Sequence, residues 1–244
     1  MTNLVITTAF INNTPGIYTP TSKKKNELIV NQINRKLLSG LYAITDASLT
    51  DPEKTIQRVE QALKGGAQII QYRDKSSNPE QRFQTCVAIR KLTKQANALF
   101  IVNDDVTLAK RVKADGVHLG KNDIDLSEAR NQLGPDVLIG ISCYNHFELA
   151  KQAAGQGADY VAFGSFYPSI TKPEAVKANL ELLHRAKQDL DIPIVAIGGI
   201  TIENGRSLVE AGADMLAVVK GIFGQKDIEA AAREFCSFFK KTAL

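Results

Sequence analysis

From Leu41 onward, short apolar runs alternate eight times with helix-like sequence: LYAIT, AQIIQYR, ALFIVND, DGVHLG, VLIGISC, DYVAFGS, IPIVAIGG and DMLAVVKG. The runs are apolar throughout rather than at every second position. Parallel strands read this way when helices cover one face and packed side chains the other. The joints between runs carry helix signals. Thr50-Asp51-Pro52-Glu53 reads as a capping box with Pro near the first helical position, ahead of Ile56, Val59 and Leu63 on one face. Asn78-Pro79 starts another helix, Asp105 suits the N-cap of a short helix through Leu108, and LSEARNQL stops at Gly134-Pro135. An internal echo joins GGAQIIQYR, KADGVHLG, GQGADYVAFG and EAGADMLAVV, each with a Gly and a small or acidic residue beside the strand start. The Gly is expected to close the preceding helix in the left-handed conformation.

Eight βα units without a dinucleotide fingerprint indicate a single TIM (β/α)8 barrel over residues 40–244. A doubly wound open sheet is the competing architecture, and pairing of the first strand with the last separates the two. Residues 1–39 form an N-terminal extension. Its first 26 residues, with SKKKN, are expected to be poorly ordered, whereas 27–38 place Leu28, Ile29, Ile33 and Leu37 at helical spacing, as in a helix packing on the barrel.

Composition narrows the partners. The net charge of +4 is modest, and the thirty Lys and Arg are dispersed rather than gathered in a basic arm, which favours small anionic ligands over nucleic acid. Cys86, Cys143 and Cys236 are widely separated and lack a C-x-x-C spacing, as expected of a reducing cytoplasm without disulfides or structural zinc. No apolar run reaches the roughly 18 residues of a membrane-spanning helix, and MTNLVITTAFINNTP lacks the basic start of a signal peptide. The expectation is a cytoplasmic protein with no membrane partner; self-association into a homo-oligomer stays open.

Barrel chemistry sits at the C-terminal strand ends. Those ends carry Gln71, Arg73 and Lys75 after the second run; Asn103, Asp104 and Asp105 after the third; His118, Gly120 and Asp123 after the fourth; and Ser142 after the fifth. SFYPSITKPEA, IGGIT and VVKGIF follow the last three. Arg73, Lys75, Lys172 and Lys220 make a cationic set suited to more than one phosphate. Asp104 and Asp123 on adjacent strands suit a hard divalent cation, and Mg2+ commonly takes one or two carboxylates plus substrate phosphate. IGGIT and the start of the next helix offer backbone N–H groups to a second phosphate. The bland readings differ by residue. Arg73 and Lys75 taken alone are ordinary surface charges, Asp105 is better as a helix cap than as a ligand, His118 suits a satisfied barrel-interior position, His146 and His184 look like exposed or helical positions, and Cys143 is a buried thiol.

With these residues assembled, the chain resembles the thiamine-phosphate synthase family over about residues 40 to 235. QYRDK, VNDDV, ADGVHLGKND, GIS, GADYVAFGSFYPSITK, IPIVAIGGIT and GAD stand in the family's order and spacing. The resemblance implies coupling of an aminopyrimidine methyl diphosphate to a thiazole phosphate, or its carboxylated form, with release of pyrophosphate. It implies that Gln71, Tyr72, Arg73, Asp74, Lys75, Asn103, Ser142 and Lys172 contact the pyrimidine diphosphate and that Asp104 and Asp123 hold one Mg2+ per active site. It assigns Ser169, Ile170, Thr171, Gly199, Val219 and Lys220 to the thiazole phosphate. Arg73, Lys75 and Lys172 would be catalytic by stabilising the departing pyrophosphate, after which the thiazole nitrogen attacks a carbocation on the pyrimidine methylene. Two positions depart from the family: Ser169 stands where Thr is usual, and Lys220 where Ser is. Two rivals share the barrel. A thiazole tautomerase would need a histidine after the fifth strand, which ISCY lacks, and a catalytically silent phosphate-binding barrel predicts a broken set of cations and carboxylates.

Overall fold

A computed structural model describes residues 37–49, 52–75, 78–168 and 177–240. Eight parallel strands close into a barrel in chain order: β1 Gly40–Ile44, β2 Ile69–Tyr72, β3 Leu99–Asn103, β4 Gly116–Leu119, β5 Leu138–Tyr144, β6 Tyr160–Phe163, β7 Ile194–Ile197 and β8 Met215–Val218. β1 pairs with β8, Leu41 opposite Leu216, which excludes the open sheet. The helices are α1 Pro52–Lys64, α2 Pro79–Gln95, α3 Val106–Val112, α4 Leu126–Leu133, α5 Phe147–Gly155, α6 Leu180–Asp189, α7 Ile202–Glu210, a short α8 Lys220–Phe223, and α9 Ile228–Ser237. The short α8 has no counterpart in the sequence reading. The expected capping box at Thr50 falls outside the described residues, and of the helix expected over 27–38 only Leu37, in a turn, and Leu38, with no regular structure, are described.

Two apolar layers explain the uninterrupted runs. Leu41, Ile70, Phe100, Val117, Ile139, Val161, Ile194 and Leu216 face the helices, while Tyr42, Ile69, Leu99, Ile101, Leu138, Tyr160, Val195 and Met215 fill the interior. Alternate residues of one strand therefore enter different cores. Local caps hold as expected. Asn78 accepts from Gln81 N–H to start α2, Asp105 accepts from Leu108 N–H to start α3, and Gly134, with φ 84°, ends α4. Three of the four echoed units close their helix with a left-handed glycine, Gly66, Gly157 and Gly212. The fourth differs: Lys113 takes the left-handed position (φ 53°) at the end of α3, and Gly116 instead opens β4, where a Cβ would meet the Leu138 carbonyl at 2.5 Å.

The echo's acidic residues stitch the base of the barrel. Asp115, just before β4, accepts from the Phe100 N–H of β3 at 2.8 Å and is gripped by both terminal nitrogens of Arg90. Asp159 before β6 accepts from Ile139 N–H at 2.9 Å and Arg130, and Asp214 before β8 from Ile194 N–H at 3.0 Å and Lys187. Gln68 before β2 accepts from Leu41 N–H at 2.8 Å through its amide oxygen. Each even strand thus ties the start of the odd strand before it, so strand ends that would leave buried donors unsatisfied are closed.

Candidate active site

Side-chain parity decides which residues the barrel mouth receives. Ile69 is an interior residue of β2 and Ile70 an outer one, so Gln71 turns inward and Tyr72 outward. Gln71 is buried and donates through Nε2 to the Tyr42 hydroxyl at 2.8 Å. Tyr72 instead packs in the layer under the helices, its hydroxyl donating to Asp74 Oδ2 at 3.1 Å. Its side chain therefore lies behind the strand rather than in the mouth, which leaves its main chain as the part of Tyr72 that a substrate could meet. Arg73 follows at the rim, half-buried, with its N–H donating to Thr45 Oγ1 at 2.9 Å.

Asn103 ends β3 and donates through Nδ2 to Asp104 Oδ2 at 2.8 Å; Lys75 Nζ lies 3.3 Å from the same oxygen. Asp104 holds φ 56°, a left-handed position that Asp and Asn tolerate better than other side chains. Because of that turn, Asp104 and Asp105 diverge. Asp104 stays with the mouth, whereas Asp105 caps α3 and pairs with Arg82 at 2.8 Å. Asp123 accepts from Gly120 N–H at 2.6 Å. Asp104, Asp105 and Asp123 line one cleft of about 440 Å³ together with Arg82. Among the described residues no group of three or more His, Cys, Asp or Glu converges, so a metal here would rest on two carboxylates and take its remaining oxygens from elsewhere.

Ser142 joins the interior through His118, whose Nε2 lies 2.9 Å from Ser142 Oγ. His118 Nδ1 meets the Tyr160 hydroxyl at 3.2 Å, as expected of a satisfied interior histidine, and Tyr160 meets Tyr42 at 2.9 Å. Tyr42 and Tyr160 were not singled out by sequence, since each sits in an apolar run. Burial raises both phenols above their ordinary range and keeps them protonated. Cys143 is fully buried, and burial pushes its thiol up to about 12, which removes a thiolate nucleophile beside Ser142. His146 and His184 are exposed.

The other side of the mouth is built from close backbone approaches. Gly198 (φ 105°) and Gly199 (φ 63°) follow β7, and a Cβ on them would strike Ser165 Oγ at 2.0 Å and the Pro168 carbonyl at 2.5 Å. Tyr167 N–H donates to the Gly198 carbonyl, and Ala178 N–H to that of Ser165. Asn204 accepts from Thr201 N–H at 2.8 Å at the start of α7. Val219 leads into α8, whose first residue is the exposed Lys220, and Arg58 holds this helix to the β1 loop by donating to the carbonyls of Phe223 and Leu49. A short helix after β8, beside the β7 loop, is where this fold commonly binds phosphate. Ser169, Ile170, Thr171 and Lys172 lie outside the described residues.

Against known families, residues 41–222 match the model described as thiamine monophosphate synthase. The chain belongs to that family. Among relatives, a thiamine-phosphate synthase of Thioalkalivibrio sulfidiphilus is 51% identical over 203 residues, covering 83% of this chain and 96% of its own. Another, of Acidithiobacillus ferrooxidans, is 50% identical over 206 residues, covering 83% and 95%. Among solved structures, thiamine phosphate pyrophosphorylase from Pyrococcus furiosus superposes with TM-score 0.76 at 36% identity, covering 84% of this chain and 96% of that one. The geranylgeranylglyceryl phosphate synthase of Thermoplasma acidophilum, at 18% identity and TM-score 0.64, shares the fold alone. Family members with these names span nearly their whole length within this chain, and the barrel described above is the part they share.

Proposed function

We propose that this chain is a thiamine-phosphate synthase, a transferase that condenses 4-amino-2-methyl-5-(diphosphooxymethyl)pyrimidine with thiazole phosphate, plain or carboxylated, and releases pyrophosphate. The observation that carries this reading is the convergence of Lys75, Asn103 and Asp104 at one strand end, with Asp104 also lining a cleft that it shares with Asp123. Opposed charges at a barrel mouth suit a diphosphate and its counter-ion. Bound there by Asp104 and Asp123, Mg2+ would neutralise diphosphate oxygens. Arg73 and Lys75, with Lys172, are assigned to hold the negative charge that grows on the leaving group. Gln71 and Ser142 face the interior from opposite sides and are assigned to orient the pyrimidine. Gly199, Val219 and Lys220 are assigned to the thiazole phosphate, together with Ser169, Ile170 and Thr171. Positioning and fixed charge then do the work, and no protein nucleophile is required. No helix among the described residues is long and apolar enough to cross a membrane; small-molecule substrates and a cytoplasmic setting complete the reading.

The test is to supply both phosphorylated heterocycles with Mg2+ and follow thiamine phosphate and pyrophosphate. Equal amounts of the two products are expected. A folded sample that releases neither overturns the proposal, and one that isomerises a thiazole instead favours the tautomerase.

A further inference from the structure

Four hydrogen bonds run across the barrel interior in one unbroken chain, from Gln71 on β2 through Tyr42 on β1, Tyr160 on β6 and His118 on β4 to Ser142 on β5. The two tyrosines meet edge-on, with ring centroids 6.1 Å apart, and Tyr160 stacks on His118 at 5.6 Å. Gly140 makes room for this, since a Cβ there would lie 2.0 Å from a Tyr160 ring carbon. A hydrophobic core does not need such a chain. Leucine or phenylalanine would fill the same space without polar groups to satisfy.

The Gln71 amide, as donor, sets a direction for the chain. Gln71 donates its amide N–H to Tyr42, so the single proton of Tyr42 is left to donate to Tyr160. Tyr160 then donates to His118 Nδ1, and a neutral His118 carries its proton on Nε2 and donates to Ser142 Oγ. Ser142 is left with its own O–H to offer the cavity. At the far end, Gln71 offers its carbonyl oxygen and one N–H. If each group makes one donation and one acceptance within the chain, the opposite sense has Ser142 spend its proton on His118.

We propose that Tyr42, Tyr160 and His118 are positioning residues that form a directional relay, fixing Ser142 as a hydrogen-bond donor and turning the Gln71 amide so that its carbonyl oxygen is left to accept from the substrate. This deepens the assignment of Gln71 and Ser142 to the pyrimidine and rests on it. A ligand matched to the relay presents an acceptor to β5 and a donor to β2, as an aminopyrimidine does with its ring nitrogens and exocyclic amine.

Nitrogen-15 NMR of the imidazoles in the substrate-free protein reads the direction without any turnover. His118 is expected as the Nε2–H tautomer; an Nδ1–H tautomer overturns the relay as drawn. In Gln71→Glu, at a pH where the side-chain carbon shift shows an ionised carboxylate, the end group only accepts, and His118 is expected to switch to Nδ1–H. An unchanged tautomer there overturns the coupling, because Gln71 does not touch His118. A kinetic cycle supplies the second arm. Tyr42→Phe and Ser142→Ala are each expected to raise KM for the pyrimidine diphosphate about tenfold, a loss the size of one hydrogen bond, with kcat changed less. The double variant is expected to be no worse than the poorer single, whereas independent sites would multiply their losses. Multiplied losses, or no loss in Tyr42→Phe, overturn the proposal. If the synthase reading itself fails, no turnover is seen in the parent protein and the NMR arm still decides the relay.

Discussion

The two ends of the barrel use acidic residues in opposite ways. At the base, each carboxylate is closed on itself. Asp159 is 2% exposed in its side chain and takes both a strand N–H and Arg130, and Asp115 and Asp214 repeat the arrangement with Arg90 and Lys187. At the mouth, Asp104 shares one oxygen with Asn103 and with a Lys75 whose side chain is 65% exposed, and Asp123 is itself exposed. Pairs of the first kind are committed to joining strands. Those of the second kind can exchange partners when an anion and a cation arrive, because little geometry depends on them.

Substitution at each end separates the two kinds of carboxylate. Asp159→Ala is expected to have the largest effect, about 3 kcal/mol of stability, since a buried N–H loses its acceptor and Arg130 its carboxylate. Urea unfolding measures it, and turnover per folded molecule should stay within about twofold of the parent, because this carboxylate ties strand starts at the base and not the strand ends at the mouth. Loss of turnover without loss of stability would erase the division. At the mouth, Asp104→Asn is the better variant than Asp104→Ala, because Asn also accepts the left-handed backbone. Turnover is expected to fall at least tenfold, equivalent to about 1.4 kcal/mol in the barrier, with the unfolding midpoint unmoved. Full activity would make Asp104 a turn residue only. Asp105→Ala should do the reverse of its neighbour, costing about 1 kcal/mol through the lost helix cap while turnover holds. Lys187→Ala is expected to be smallest, at roughly 0.5 kcal/mol, because its pair with Asp214 is half exposed and Asp214 keeps its strand N–H.

The fold was legible because a closed barrel repeats one local unit, and each repeat carries its own punctuation. The difference at Lys113 arises because a single left-handed residue is tolerable for Lys where glycine is merely easier. The candidate residues were legible as strand ends, and the alternation of Ile69 to Tyr72 already assigns the Tyr72 side chain to the outer face once β2 is fixed. The motif QYRDK, read as a block, hides that parity. What sequence did not carry is anything that depends on strands meeting across the interior. Tyr42 and Tyr160 are 118 residues apart, and in their runs both look like packing. The acids of the echo were likewise visible as neighbours of glycine, but their bonds to the preceding strand required the register.

A backbone clamp holds the β6 side of the mouth. Phe166 and Tyr167 are laced to the carbonyls of Ile197 and Gly198, and Ala178 closes back on Ser165, so the chain leaves and rejoins the barrel at one fixed doorway. These ties are made by main-chain N–H groups, so they do not depend on which side chains stand there, and the ends of β6 and β7 keep their spacing through substitution of Phe166, Tyr167 or Ala178 by any residue but proline.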